Sequence, residues 1–313
     1  MSIDRKIACV TGASGMIGSR IISNLINNGY RVRALSRSKH FDNSEVESFI
    51  GNLEDRELLK SFVKGASYLF HCAAELNDET RMWDVNFEET KILQEIAEKS
   101  SIEYFCYISS AGVIGLTNLT WIDEDSLCRP QNTYERSKWE AEKFLLESSG
   151  TYKLVILRPT NVIDDNRPGA LGYPIRHTLK DRLLVFLKGG ECAHLVHAED
   201  VATAAIYFTS YPLNKPECFF VSCDSESLNT FAGLWSLYKA VRRKDSTKEV
   251  YPVLHLPLFI PWLLRSIWRG KRNMGNVRYS SQKLLSTGFK FPLGIKGAIE
   301  RICETDVLAK EQS

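Results

Sequence analysis

Long apolar runs are missing from this chain. No stretch approaches the roughly 18 residues that a membrane span requires, so no span is expected. An excess of one charge sign is missing too. Forty Lys+Arg against 38 Asp+Glu leave a formal +2, which gives no global charge argument for nucleic acid. Met1 to Val10 carries Asp4, Arg5 and Lys6 before a short apolar run, without the longer apolar core and small-residue cleavage site of a signal peptide. The eight cysteines, scattered from Cys9 to Cys303, contain no Cys-x-x-Cys and no histidine partner at zinc spacing. They read as buried reduced thiols in a cytoplasmic protein that binds no metal. Internal repeats and low-complexity tracts are also lacking. What is present, 44% hydrophobic and 25% charged residues over 313 positions, excludes a disordered, collagenous or coiled-coil chain. The length suits one large core, or a large domain carrying a smaller one.

The first 160 or so residues alternate between two periods. Ile7-Ala8-Cys9-Val10 is a short apolar strand ending in Thr11-Gly12, and Ile17, Ile21, Leu25 and Ile26 then mark one face of a helix that stops at Asn28-Gly29. Strands are expected at Arg31–Leu35, Tyr68–Phe70, Tyr104–Ile108 and Leu154–Leu157, and helices at Glu54–Val63, Val85–Lys99 and Tyr134–Glu147. Apolar, non-alternating strands between helices mean a parallel sheet covered on both faces, doubly wound by right-handed crossovers. After Arg158-Pro159 the rhythm breaks. Asp164–Gly172 reads as loop, Glu199–Ser210 and Leu228–Val241 as helices, Cys218–Val221 as a strand, and the chain from Tyr251 as Pro-interrupted and aromatic. The expected division is a dinucleotide-binding Rossmann domain over residues 1–161, with 194–222 returning to it, and a smaller mixed substrate domain over 162–313.

Gly12-Ala13-Ser14-Gly15-Met16-Ile17-Gly18 joins the first strand to the first helix. In such a loop Gly12 permits the tight turn, Gly15 the approach of a pyrophosphate, and Gly18 close helix–strand packing. The pyrophosphate would sit on free N–H groups at the helix N-terminus. The second strand ends Leu35-Ser36-Arg37-Ser38 with no carboxylate for a ribose 2′-hydroxyl, while Arg33, Arg37 and Lys39 make that end cationic. This favours NADP over NAD. The competing reading makes Arg37 a surface residue stacked on adenine, compatible with NAD. Tyr134 and Lys138, four residues apart, share one helix face, and a neighbouring ammonium lowers a phenol's pKa towards the range of a general acid–base.

The Gly-x-x-Gly-x-x-Gly spacing resembles the short-chain dehydrogenase/reductase superfamily, and the rest of the chain resembles its extended subgroup, the NAD-dependent epimerase/dehydratase family. His71-Cys72-Ala73-Ala74 is similar to the turn that runs beside the cofactor, and Ser109-Ser110-Ala111-Gly112-Val113-Ile114-Gly115 to the catalytic-serine strand end. Tyr134-Glu135-Arg136-Ser137-Lys138 resembles Tyr-x-x-x-Lys, while Leu157–Val162, His194–Val201 and Gly288–Pro292 resemble later blocks. The resemblance implies Ser110, Tyr134 and Lys138 as catalytic residues, with Ser110 aligned in preference to Ser109. It implies cofactor contacts at Gly12, Ser14, Gly15, Met16, Ile17, Gly18, Arg37, Asn52, Leu53, Cys72, Ala73, Ala74, Tyr134, Lys138, Pro159 and Val162. Asn52 stands where an aspartate is usual, Ile114 replaces a tyrosine, and Glu89 replaces a glycine near Asn86.

Asn161 and Arg272 suit a substrate diphosphate, and Glu75 follows the His71–Ala74 turn. They point to a nucleotide-sugar acted on by a reductase or epimerase. Leu256–Leu264 is unusually apolar and supports other readings: a pocket for a flat sterol or flavonoid ketone, a peripheral membrane contact with the basic residues after it, or core packing. A non-catalytic dinucleotide-binding regulator is a further alternative, disfavoured because it has no use for Ser110, Tyr134 and Lys138 together. A homodimer is the expected assembly, and His71, His194 and His197 are expected to pack rather than catalyse.

Overall fold

A computed structural model describes residues 5–148, 150–165, 167, 179–242, 253–269 and 274–311. In chain order the strands are β1 (Ile7–Thr11), β2 (Arg31–Ser36), β3 (Val46–Ile50), β4 (Tyr68–His71), β5 (Tyr104–Ile108), β6 (Trp121–Ile122), β7 (Lys153–Pro159), β8 (Asn161–Ile163), β9 (Leu195–His197), β10 (Glu217–Val221) and β11 (Arg278–Tyr279). The helices are α1 (Met16–Asn27), α2 (Arg56–Val63), α3 (Glu79–Trp83), α4 (Glu89–Glu98), α5 (Thr133–Glu147), α6 (Leu179–Lys188), α7 (Ala198–Ser210), α8 (Phe231–Arg242), α9 (Phe259–Arg269), α10 (Gln282–Ser286) and α11 (Gly294–Glu311).

Seven strands form the central sheet in the order β10-β7-β5-β4-β1-β2-β3, a parallel, Rossmann-like arrangement. Crossovers go one way from β1 through β2 to β3 and the other way from β4 outwards, so the order reverses beside β1. Thr11, the last residue of β1, pairs with Leu35 of β2 and His71 of β4. The glycine loop therefore leaves the sheet at its switch point, where ligands of doubly wound folds bind. β4 and β5 are buried along their whole length, as expected of strands covered on both faces. One core cluster joins Leu59, Phe62 and Val63 of α2, Leu93 and Ile96 of α4, and Phe105, Tyr107 and Ile156 of the sheet.

The chain divides into two compact units. The first comprises Met1–Gly115, Cys128–Arg158 and Val201–Phe219, and holds the body of the sheet. The second comprises Leu116–Leu127, Pro159–Asp200 and Phe220–Ser313. It contains the pairs β8–β9 and β6–β11 together with α6, α8, α9, α10 and α11.

The structure revises several sequence expectations. The helix expected from Val85 begins at Glu79 and passes through a π-turn at Asp84–Glu88 before α4. The apolar segment after Tyr251 carries a helix, α9, with Pro261 in its first turn, where a missing N–H costs least. Arg33 does not contribute to a cationic end of β2. It bonds Glu47 at 2.9 Å and the Phe62 and Lys64 carbonyls at 2.9 and 2.7 Å, capping the C-terminus of α2. Arg272 lies outside the described residues, as does most of the Asp164–Gly172 loop.

Candidate active site

The glycine loop is shaped for close approach. Gly12 has φ +61°, and a Cβ there would lie 2.6 Å from the Ala73 nitrogen and the Cys72 carbonyl carbon. A Cβ on Gly18 would land on the Gly12 carbonyl. The N-terminus of α1 differs from those of α2, α3 and α5. Asp55 caps α2, Asp78 caps α3 and Asn132 caps α5 through side-chain oxygens. α1 starts at Gly15 with no side-chain cap and no acidic residue in its first turn. An uncapped 12-residue helix after a left-handed glycine fits a dinucleotide pyrophosphate.

Around the loop, Cys72, Ala73 and Ala74 are half-buried, Leu53 is buried and Asn52 is exposed. Arg37 is exposed and lies 3.7 Å from Glu75, so a carboxylate does stand near this guanidinium, supplied by the turn after β4. The Glu75 Oε1 accepts from the backbone N–H groups of Leu76, Asn77 and Asp78 at 3.0–3.2 Å. Those bonds, first among the causes, hold its carboxyl below the usual range. Its first task is to clamp this turn.

Ser110 ends the segment after β5, and its Oγ accepts from the Gly112 N–H at 3.0 Å. Ser109 is buried, and its hydroxyl has no hydrogen-bond partner among the described residues, whereas Ser110 is half-buried. Tyr134 sits in the first turn of α5, fixed by the Asn132 cap, whose Oδ1 accepts from the Glu135 N–H at 2.9 Å. Burial pushes the Tyr134 phenol up to about 12, and a hydrogen bond with Ser110 pulls the other way. One turn on, Lys138 is fully buried. Its Nζ donates to the Ile108 carbonyl at 2.8 Å and lies 4.6 Å from the Tyr107 ring centroid. Burial brings its ammonium down to about 8.

A buried polar chain links these parts. The Thr90 hydroxyl donates to the Asn86 carbonyl at 2.9 Å, so at 2.9 Å its oxygen accepts from the His71 Nε2–H. Thr11 then donates to His71 Nδ1 at 2.7 Å and accepts from the Ala73 N–H at 3.3 Å. This assignment fits a neutral ring, and burial, helped by the Lys138 charge, brings His71 down to about 3. The Asn86 Oδ1 accepts from the Glu75 N–H at 2.8 Å, while its Nδ2 donates to the Ser137 hydroxyl at 3.1 Å. Asn86, raised on the π-turn, thus ties the turn after β4 to the helix carrying Tyr134 and Lys138. The clue in the sequence was an isolated asparagine four residues before Thr90; the π-turn itself carried no signal.

In the second unit, Asn161 is half-buried at the start of β8, and its N–H donates to the His194 carbonyl at 2.8 Å. Pro159 and Val162 belong to this unit too. His194, at φ +55°, bonds the fully buried Asp224 through Nδ1 at 2.6 Å. Asp164, Asp165 and His197 cluster closely enough to suggest metal ligands. Within that cluster His197 Nε2 bonds Asp165 at 3.0 Å, its Nδ1 accepts from the Glu199 N–H, and Arg301 pairs with Asp165 at 2.9 Å.

A doubly wound sheet, an uncapped glycine-rich helix start at its switch point, and a serine, tyrosine and lysine gathered beside β5 define a nicotinamide-dinucleotide enzyme of the short-chain dehydrogenase/reductase class. The model of the NAD-dependent epimerase/dehydratase family matches residues 8–219, and this chain belongs to that family. It is 30% identical, over 84% of its length and 85% of the relative's, to sterol-4-alpha-carboxylate 3-dehydrogenase (decarboxylating) of Dictyostelium discoideum. It is 23% identical, over 93% of its length and 92% of the relative's, to an N-acetyl-alpha-D-glucosaminyl-diphospho-ditrans,octacis-undecaprenol 4-epimerase of Escherichia coli O157:H7. Among solved structures, a short-chain dehydrogenase/reductase superfamily protein from Agrobacterium tumefaciens with bound NAD superposes with TM-score 0.75 at 20% identity, over 98% of this chain and 99% of that one. No helix among the described residues is long and apolar enough to cross a membrane.

Proposed function

We propose that this chain transfers a hydride between a nicotinamide cofactor and the carbinol or keto carbon of an apolar polycyclic substrate of the sterol class. The gathering of Ser110, Tyr134 and Lys138 within one compact unit carries the chemical reading. The substrate class is supported by the 30% identity to a sterol-4-alpha-carboxylate 3-dehydrogenase over most of both chains.

The cofactor, when bound, supplies the hydride acceptor or donor. Gly12, Ser14, Gly15, Met16, Ile17 and Gly18 would hold its pyrophosphate, Arg37, Asn52 and Leu53 its adenosine, and Cys72, Ala73 and Ala74 its flank. The family resemblance also implies Pro159 and Val162 as cofactor contacts. Ser110 donates to the substrate oxygen. Tyr134 takes the hydroxyl proton in oxidation and returns it in reduction. A buried phenol is a poor base alone, and the Lys138 ammonium, one helical turn away, favours its phenolate. Lys138 also has donors left for the nicotinamide ribose, because the Ile108 carbonyl takes only one of its three N–H bonds. Where a carboxylate neighbours the new ketone, a β-keto acid results, and its loss of carbon dioxide needs no further oxidant. Arg37 favours NADP, since its guanidinium suits a 2′-phosphate.

A nucleotide-sugar is the second reading, supported by Asn161 and by the epimerase relative that covers nearly the whole chain. One assay tests both. Purified protein is given NAD or NADP with a 3β-hydroxysteroid bearing a 4α-carboxylate, or with UDP-hexoses, and nicotinamide absorbance and sugar epimerisation are followed. Sterol-dependent reduction of the cofactor is the expected result. Turnover of the UDP-hexose alone would replace the first reading with the second.

A further inference from the structure

Two neighbouring helices of the second unit are amphipathic the wrong way round for a core. α6 turns Leu179, Leu183, Phe186 and Leu187 outward, with Leu179 82% exposed, and buries only Val185. α9 exposes Phe259, Leu263, Leu264 and Ile267, spaced for one face, with Ile267 72% exposed. The two are adjacent: the Leu256 N–H donates to the Phe186 carbonyl at 2.8 Å, where the chain enters α9. Scattered apolar residues on a surface need no explanation, but two contiguous outward stripes do.

Cations outnumber acids in these two segments. Lys180, Arg182 and Lys188 lie on α6. From Val253 to Gly275 the sequence holds Arg265, Arg269, Lys271 and Arg272 and no acidic residue. Of the acids in this stretch and in Leu179–Glu191, Glu191 is engaged bidentately by Arg265 at 2.6 and 3.1 Å, and Asp181 is the other. An isologous dimer through this face would set Lys180, Arg182 and Lys188 against their own copies. An anionic lipid surface satisfies apolar stripe and cations together. At about 1.5 Å per residue, an 11-residue helix covers roughly half a hydrocarbon core. It would therefore lie in the interface rather than cross it.

We propose that the α6–α9 face docks this enzyme on the surface of an anionic bilayer. This stands apart from the substrate reading, because it rests on surface residues and needs no turnover. The test is flotation of the full chain with phosphatidylcholine vesicles, with and without phosphatidylserine, alongside its solution mass. Wild type is expected to float with the anionic vesicles and to be released by salt. Leu263→Gln with Ile267→Gln should lower the partition coefficient about tenfold or more. Lys180→Gln with Arg182→Gln should lower it about twenty- to thirtyfold on anionic vesicles only. Unchanged melting temperatures would show that both variants fold. Wild type that floats with neither vesicle, or apolar variants that float as well as wild type, would overturn the proposal. So would a dimer that the apolar substitutions split while lipid binding is absent.

Discussion

Each compact unit buries a charge that has no ion-pair partner among the described residues, Lys138 in the first and Asp200 in the second, and these two are displaced in opposite directions. In the first unit burial brings Lys138 down to about 8. In the second, burial pushes Asp200 up to about 7. The neighbours differ in kind. Lys138 has a carbonyl, an aromatic face and, one turn away, a phenol whose proton can move. Asp200 is bound by the N–H groups of Leu293 and Gly294 at 2.8 and 3.2 Å, at the start of α11, where Glu226 also accepts from the Ile295 N–H. A carboxylate at a helix N-terminus is a structural device. In the proposed reaction a displaced ammonium beside a tyrosine is a chemical one. A shifted titration therefore marks function only when a transferable proton lies next to it.

The largest effect that would break this contrast is on turnover. Tyr134→Phe removes the proton-transfer group and little else, so kcat should fall about 10³- to 10⁴-fold. Cofactor affinity, read by nucleotide fluorescence, should change less than about twofold. A variant retaining a few per cent of the wild-type rate would leave Lys138 without a chemical role.

Asp200→Asn examines the other half. Between about pH 4 and pH 7 the folded acid keeps a proton that the unfolded chain has released. Stability is therefore full below its unfolded value and falls as pH rises through about 7. The displacement corresponds to a loss on the order of 4 kcal/mol. Urea midpoints of wild type should decline across this range, while those of Asp200→Asn stay nearly level. Parallel slopes would show that another group governs the decline.

Much of the first unit was legible in the sequence because its apolar residues have only one place to go. The run Ile7–Val10 follows from burial on both faces of one sheet, and the stop at Asn28-Gly29 from turn chemistry, whereas the Tyr134–Lys138 pair was read from helix spacing and the family resemblance. The second unit was less legible for a physical reason. In α6 and α9 the apolar stripe faces outward, so periodicity announces a face without saying what covers it. Side-chain destinations were hidden as well. Arg33 stands in β2 and Arg37, four residues on, just after it, yet Arg33 is spent on the C-terminal carbonyls of α2. No spacing rule foretold the Glu75 carboxylate beside Arg37, since the turn after β4 brings it there.

Lys138→Met sharpens the contrast on a smaller scale. The charged form costs folding energy in full below about pH 8, and that cost is relieved as pH rises towards the ordinary lysine value of 10.5. Methionine removes the charge but leaves the Ile108 carbonyl without its donor, which returns part of the gain. The expected net change at pH 7 is a rise of about 1–2 kcal/mol, gone by about pH 10, together with loss of turnover. A destabilised variant would mean that the hydrogen bond to Ile108 outweighs the cost of burying the charge.

The smallest expected effect concerns the edge of the first unit, where a charge is exposed. Arg37 is 73% exposed, so solvent screens whatever it holds. Its gain on a 2′-phosphate should be well below that of a buried pair, and Arg37→Ala should weaken NADPH binding about tenfold while leaving NADH within about twofold. Glu75 complicates the site, because its carboxylate lies 3.7 Å from the same guanidinium and repels a phosphate placed there. Glu75→Gln keeps an Oε1 that can still accept from the Leu76, Asn77 and Asp78 N–H groups, so the turn should survive. The lost charge should tighten NADPH about two- to threefold. Titrating both cofactors against wild type and the two variants by nucleotide fluorescence checks these expectations. Equal NADPH and NADH affinities in wild type, with Arg37→Ala unchanged, would show that Arg37 holds no 2′-phosphate and would overturn the NADP preference.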